Sequence, residues 1–258
     1  MTADAVDAGT APVVLAARGL GWTVGGAVIL DDITLDLRAL ELLAVIGPNG
    51  AGKSTLLHLL SGVTRPTAGR VELAGRDVTG ASIAARARAG LGRTFQTSSL
   101  FDGLTAVENV RMSVQSRHRA ALSVLRTATS REDVDAAHGL LDRVRMTHRH
   151  DVLAGELSHG DRRKLEVAVA LARRPDVLLL DEPMAGVSVE DVPDLVDLVR
   201  GLRADGVSVC MVEHHMDVVL DLADRVAVLH HGELLALGSP SDVTADPVVQ
   251  QAYLGEEL

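Results

Sequence analysis

The sequence predicts an α/β fold, a parallel sheet covered by helices on both faces, with a purely helical segment set into it. Three observations carry this. Short β-branched apolar runs recur without the polar alternation of a half-solvated strand. Helical patterns lie between these runs, and one run leads through a glycine-rich turn directly into a helix.

In chain order, "MTADAVDAGTAP" at 1–12 is small and acidic, without the basic start and apolar middle of a secretory signal, and reads as a disordered lead of a cytoplasmic protein. "VVLAA" at 13–17, "VILDDITLDL" at 28–37 and "LLAVIG" at 42–47 are strands bounded by turn residues, and "KSTLLHLLSG" is a helix. After "RTFQ" the stretch from about 98 to 160 reads as helices only, with candidates near 106–117 and 131–145 joined by the polar "RTATS". It is expected as a helical subdomain, approximately 97–160, inserted in the α/β core. In "LSHGDRRKLEVAVALARR", 157–174, apolar residues recur at Leu165, Val167, Val169, Leu171 and Ala172, so it is a helix. "VLLLDEP" at 177–183, "VSVCMVE" at 207–213 and "RVAVLHHG" at 225–232 supply further strands. No fixed-period repeat interrupts this order.

Composition narrows the function. The 258 residues suffice for a sizeable core. Hydrophobic residues reach 47%, yet no run approaches the roughly 20 apolar residues needed to cross a bilayer. The chain is therefore not expected to be embedded in a membrane. A net charge of −10 with only 2% aromatic residues lacks the basic stripe and stacking surfaces of a nucleic-acid binder. Cys210 is the single cysteine and is expected in the core. The ten histidines include no HExxH or Cys/His ligand spacing, so no metal cluster of that kind is expected.

Phosphate binding is local. "GPNGAGKST", 47–55, follows the strand "LLAVI" and opens a helix, the context of a phosphate-binding P-loop. In the loop Gly47, Pro48, Asn49, Gly50, Ala51 and Gly52, backbone N–H groups turn inward on the β- and γ-phosphates of a nucleotide such as ATP. Lys53 brings a mobile ammonium, Ser54 a hydroxyl for Mg²⁺, and Thr55 a hydroxyl near the phosphates. Lys53 is one of two lysines in an arginine-rich set of cations, kept where a compact charge suits phosphate better than a planar fork. The run Val177–Leu180 then delivers Asp181 to the C-terminal edge of the sheet, where it can hold Mg²⁺ through water. Glu182 follows immediately, points differently, and is assigned as the base that orients or deprotonates the attacking water.

The remaining oddity is the start of the helix at 157–174, where Ser158, His159 and Gly160 surround unpaired backbone donors. Read as a simple Ser-capped helix this is unremarkable. However, "LSHGDRRKLE" resembles the LSGGQ signature of the ATP-binding cassette (ABC) family, with His159 for the first glycine and Asp161 for the glutamine. The resemblance runs from about residue 13 to the end and implies one ABC ATPase domain over 13–258: a P-loop NTPase core with an N-terminal antiparallel β subdomain and the helical insertion. It implies that two subunits meet head to tail, with Ser158, His159 and Gly160 of one contacting the γ-phosphate held by the other.

Other positions match one at a time. "RTFQTSSLFDGLTAVENV" is similar to the family's Q-loop segment, so Gln96 would meet Mg²⁺ and the water while the following residues face a membrane partner. "MVEHHMDVV" is similar to the switch segment, with His214 sensing the γ-phosphate and orienting the water. His215 is taken as structural, pointing to the opposite side if the strand continues. The family stacks adenine on an aromatic residue near the first hairpin. Here Val24 aligns with it, and Trp22, two residues earlier, would face the same side of an extended strand. Ser188 stands where the family often has aspartate after "DEP", and Leu40 where a turn glycine is usual.

Several segments, among them "DEPMAGVSVED" and the ending "VVQQAYLGEEL", are similar to ATPases of branched-chain amino acid importers, while His159 and "MAGVS" lean toward urea and short-amide importers. Either resemblance implies transmembrane permease subunits, a second ATPase subunit (the same chain or a different one), an external solute-binding protein, and a peripheral position on the inner face of the cell membrane. Other classes stay open: a soluble ABC ATPase of an assembly complex, or a P-loop kinase, which would have no use for "LSHG".

Overall fold

The computed structural model describes residues 11–94, 100–118 and 130–254. The chain opens with β1 (Val13–Val24), β2 (Ala27–Arg38), β3 (Leu42–Ile46), α1 (Lys53–Ser61), β4 (Ala68–Leu73), β5 (Arg76–Asp77), α2 (Ile83–Arg88) and β6 (Leu91–Arg93). Helices α3 (Ala106–His118), α4 (Arg131–Arg143) and α5 (His159–Leu171) follow. The rest alternates: β7 (Val177–Asp181), α6 (Val192–Ala204), β8 (Ser208–Val212), α7 (Met216–Leu222), β9 (Arg225–His230), β10 (Glu233–Gly238), α8 (Pro240–Ala245) and α9 (Pro247–Leu254).

Two sheets form. The larger has the order β10-β9-β3-β8-β7-β6 and is parallel throughout except at its β10 edge. That edge strand was not separable in the sequence from the run before it. His231 and Gly232 both take positive φ, +48° and +84°, and so turn the chain back in a two-residue hairpin. The smaller sheet, β2-β1-β4-β5, is antiparallel.

The continuous apolar strands are explained by burial on both sides. In β7, Leu178 and Leu180 join the cluster under the helices, whereas Val177 and Leu179 join the cluster between the sheets around α1. Side chains alternate faces along a strand, so only a run apolar at every position satisfies both. Residues from α3 (Val110, Val114) and α4 (Ala137, Leu141) share the first cluster with Leu165 and Ala168 of α5. The helices between β6 and β7 therefore pack on the signature helix itself. Helix α4 ends at Arg143, slightly before the expected 145, and Arg145 turns left-handed at φ +58°.

Three expectations fall outside the described residues: the lead at 1–10, Gln96 with its neighbours at 95–99, and most of the "RTATS" link, which lies in 119–129. One is corrected. Strand β8 stops at Val212, so His215 is not a strand residue on an opposite face but the residue preceding α7, with Nδ1 3.4 Å from Glu213 Oε1. Leu40 also gains a reason: it sits at φ +60° in the turn between β2 and β3, a conformation that favours glycine. Its N–H donates to Ser208 Oγ at 2.9 Å.

Candidate functional site

The phosphate-binding loop leaves β3 at Ile46 and enters α1 at Lys53. Two of its glycines are required by close packing as well as by φ. A Cβ on Gly47 (φ +150°) would meet the Leu229 carbonyl oxygen of β9 at 2.1 Å, and one on Gly52 (φ +98°) would meet Leu30 of β2 at 2.5 Å. The loop is thus pressed between the two sheets, while Asn49 and Gly50 at its tip are exposed. Behind it the Gly232 N–H donates to Ala51 O at 3.2 Å, and the Asp31 N–H donates to Gly232 O at 2.9 Å. Lys53 is buried, and its Nζ donates to the carbonyls of Gly47 at 2.6 Å and Pro48 at 2.8 Å. Burial pulls this ammonium below the usual lysine pKa, and the Glu182 carboxylate partly opposes the pull. Ser54 and Thr55 follow on α1 with partly exposed side chains.

Two parallel neighbours, β7 and β8, bring the carboxylates and the histidine together. Asp181 ends β7 and is 1% exposed. Its Oδ2 accepts a hydrogen bond from the Arg93 guanidinium at 3.0 Å, while its Oδ1 is buried with no hydrogen-bond partner among the described residues. A buried anionic oxygen without a donor is costly, and a divalent cation is the partner that fits it. Glu182 follows in the left-handed region at φ +49°, its N–H donating to Val212 O at 3.0 Å, and that turn aims its side chain away from Asp181's. Glu182 Oε1 then accepts from His214 Nε2 at 2.7 Å.

One residue holding this pair was missed. Glu213 is 1% exposed; Oε2 accepts from the His214 N–H at 2.8 Å and Oε1 from the Met184 N–H at 3.2 Å. It therefore ties the turn after Glu182 to the turn bearing His214. The signal was in the sequence: "VSVCMVE" ends an apolar strand in a carboxylate, just as "VLLLD" does. Arg93 was also passed over, since nothing local distinguishes it from the other arginines.

The signature residues stand apart. Ser158 caps α5, its Oγ accepting the Asp161 N–H at 3.1 Å, and both Ser158 and His159 are exposed. Among the described residues no hydrogen bond joins 158–160 to 47–55. A Cβ on Gly160 would lie 2.8 Å from Asp191 Oδ2, and Ser188 Oγ donates to the same oxygen at 3.1 Å, so the segment after "DEP" packs on the signature. Near the hairpin, Trp22 and Val24 do not share an environment. Register shifts on both sides of Trp22 break the alternation; Trp22 is half-buried against the inter-sheet cluster, and Val24 is 50% exposed.

A glycine-lined cradle at a helix N-terminus, with an aspartate bearing an open oxygen at the end of β7, one strand removed from β3 in the same sheet, defines a P-loop nucleoside triphosphatase. The family model described as "ABC transporter" matches residues 30–185, and the one described as "Branched-chain amino acid ATP-binding cassette transporter" matches 233–258. The chain belongs to the ABC transporter ATP-binding family and is an ATPase. It is 39% identical over 253 residues to a "Probable ABC transporter ATP-binding protein" of Azorhizobium caulinodans, covering 96% of this chain and 85% of the relative. It is 35% identical over 250 residues to the "High-affinity branched-chain amino acid transport ATP-binding protein LivG" of Salmonella typhimurium, covering 94% and 98%. Among solved structures, the ADP conformation of an ATP-binding cassette of an ABC transporter superposes with TM-score 0.85 at 29% identity, covering 95% of this chain and 100% of that one.

Proposed function

We propose that this chain is the ATP-hydrolysing motor of an importer for branched-chain or other amino acids, closing head to tail with a second ATPase subunit to drive transmembrane permeases. The observation that carries this reading is the match of residues 233–258 to the branched-chain amino acid family model, beyond the generic cassette. Among the described residues no helix is long and apolar enough to cross a membrane, which suits a peripheral subunit.

The chain's own groups divide the work. The loop from Gly47 to Gly52 receives the phosphates on its N–H groups, with Thr55 beside them. Lys53 exchanges the Gly47 and Pro48 carbonyls for the terminal phosphates. Mg²⁺, held by Ser54, Asp181 and Gln96, would neutralise charge building on the transferred phosphoryl group. Glu182 takes a proton from the attacking water, and His214 leaves its contact with Glu182 to orient that water and donate toward the γ-phosphate. Exposed Val24, rather than half-buried Trp22, offers its side chain to the adenine. Ser158, His159 and Gly160 of the second subunit complete the site from the positive end of α5.

A second reading, import of urea or short amides, is favoured by His159 within the signature. The test is reconstitution with the subunits encoded by neighbouring genes, followed by ATP-dependent uptake of leucine, other amino acids and urea. Leucine uptake supports the first reading and urea uptake the second. A chain that stays soluble with an assembly scaffold, never fractionating with permeases, overturns both.

A further inference from the structure

We propose that Arg93 is a positioning residue that selects which oxygen of Asp181 faces the catalytic cation. Arg93 is the last residue of β6 and lies beside Leu179 in the parallel register with β7, which puts its side chain within reach of the next carboxylate along. Its side chain is 5% exposed. One terminal nitrogen donates to Asp181 Oδ2 at 3.0 Å; the other donates to Ser61 Oγ at 2.7 Å and to Leu57 O at 3.3 Å. A single guanidinium thus spans β7 and α1, the helix that opens with the phosphate loop. A planar fork reaches both elements at once, whereas an ammonium on a flexible stem would not hold the same geometry.

The consequence is asymmetry at the carboxylate. Oδ2 is committed to Arg93, and Oδ1 is left buried and without a partner among the described residues. Without the guanidinium the two oxygens would be equivalent and free to rotate, and the buried charge uncompensated. On its other side Arg93 lines a cavity of about 220 Å³ between the core and the helical layer, together with Leu100, Glu166 and Arg173. The group that fixes the metal carboxylate is therefore also part of the wall between α1 and the helices.

This inference rests on Asp181 as the cation's carboxylate, and the test separates the two ideas. The affinity of the full chain for a non-hydrolysable ATP analogue is measured with Mg²⁺ and with EDTA, and the ratio of the two reads the metal linkage. The wild type is expected to bind more tightly with Mg²⁺. Arg93→Gln should keep its metal-free affinity while the Mg²⁺ gain falls about tenfold, the scale seen when a partner of a metal ligand is removed. Arg93→Lys should recover part of the gain. Ser61→Ala, which removes one Arg93 anchor without touching Asp181, should lower the gain less and serves if Arg93→Gln does not fold. An unchanged Mg²⁺ gain in folded Arg93→Gln or, failing that, in Ser61→Ala overturns the role of Arg93. Absence of any Mg²⁺ gain in the wild type overturns the assignment of Asp181 instead.

Discussion

His214 Nε2 stands 2.7 Å from Glu182 Oε1, and these residues, 32 positions apart, meet because β7 and β8 run side by side. The buried Glu213 carboxylate holds the backbone on both sides of the contact. The proposed base and the proposed phosphate sensor therefore form one hydrogen-bonded unit.

Glu182→Gln is expected to retain ATP binding, favour the closed dimer, and lower turnover by about 10² to 10⁴, the contribution of a positioned general base. His214→Ala should also lower turnover. Because the two side chains touch, the double variant should cost less than the product of the single losses. Steady-state ATPase rates beside equilibrium nucleotide binding check this; unchanged turnover in Glu182→Gln removes it as the base.

Lys53→Ala should weaken nucleotide binding itself. Loss of a charge-assisted hydrogen bond of about 1.5–3 kcal/mol corresponds to roughly 10- to 100-fold in the dissociation constant. Titration with a fluorescent ATP analogue reads it. Binding at wild-type strength would mean that the lysine, bonded to Gly47 and Pro48, does not transfer to the phosphates.

Leu40→Gly should raise stability. A left-handed conformation costs a non-glycine residue roughly 1–2 kcal/mol, and the greater freedom of glycine in the unfolded chain returns about 0.5–1 kcal/mol of that. A net gain of about 1 kcal/mol or less is expected from the turn at φ +60°. Denaturant unfolding measures it; a clear loss of stability would show that the side chain's packing outweighs the backbone strain.

Acidification should destabilise the protein through His58. Burial first, and then the Arg93 cation, hold its imidazole below the ordinary value of 6.5, against an opposing pull from Asp181. The unfolded chain therefore binds this proton more readily. The stability His58 contributes is complete above the ordinary value and is lost as pH falls through it toward the lowered one. Melting temperatures at about pH 7.5 and about pH 5.5 should differ less in His58→Gln than in the wild type. An equal difference would assign the pH response to other histidines.

The sequence by itself determined the parts whose chemistry is local. The P-loop follows from glycines, a lysine and hydroxyls at fixed offsets between a strand and a helix, and Asp181 and Glu182 follow from an apolar run ending in acid. Backbone conformation and side-chain order within ten residues decide such features, and no distant partner is needed. The inside strands were legible for a related reason, since burial on two faces leaves no polar position to mislead.

Only the tertiary structure decided the rest. Arg93 and Asp181 are 88 positions apart and look in sequence like any arginine and any strand-ending acid until β6 is laid against β7. The separation of Trp22 from Val24 depends on register shifts against β2, and the edge strand β10 on the positive-φ turn at His231 and Gly232. Pairings between strands are set by the packing of whole sheets, and the residues that compensate a buried charge are chosen by that packing.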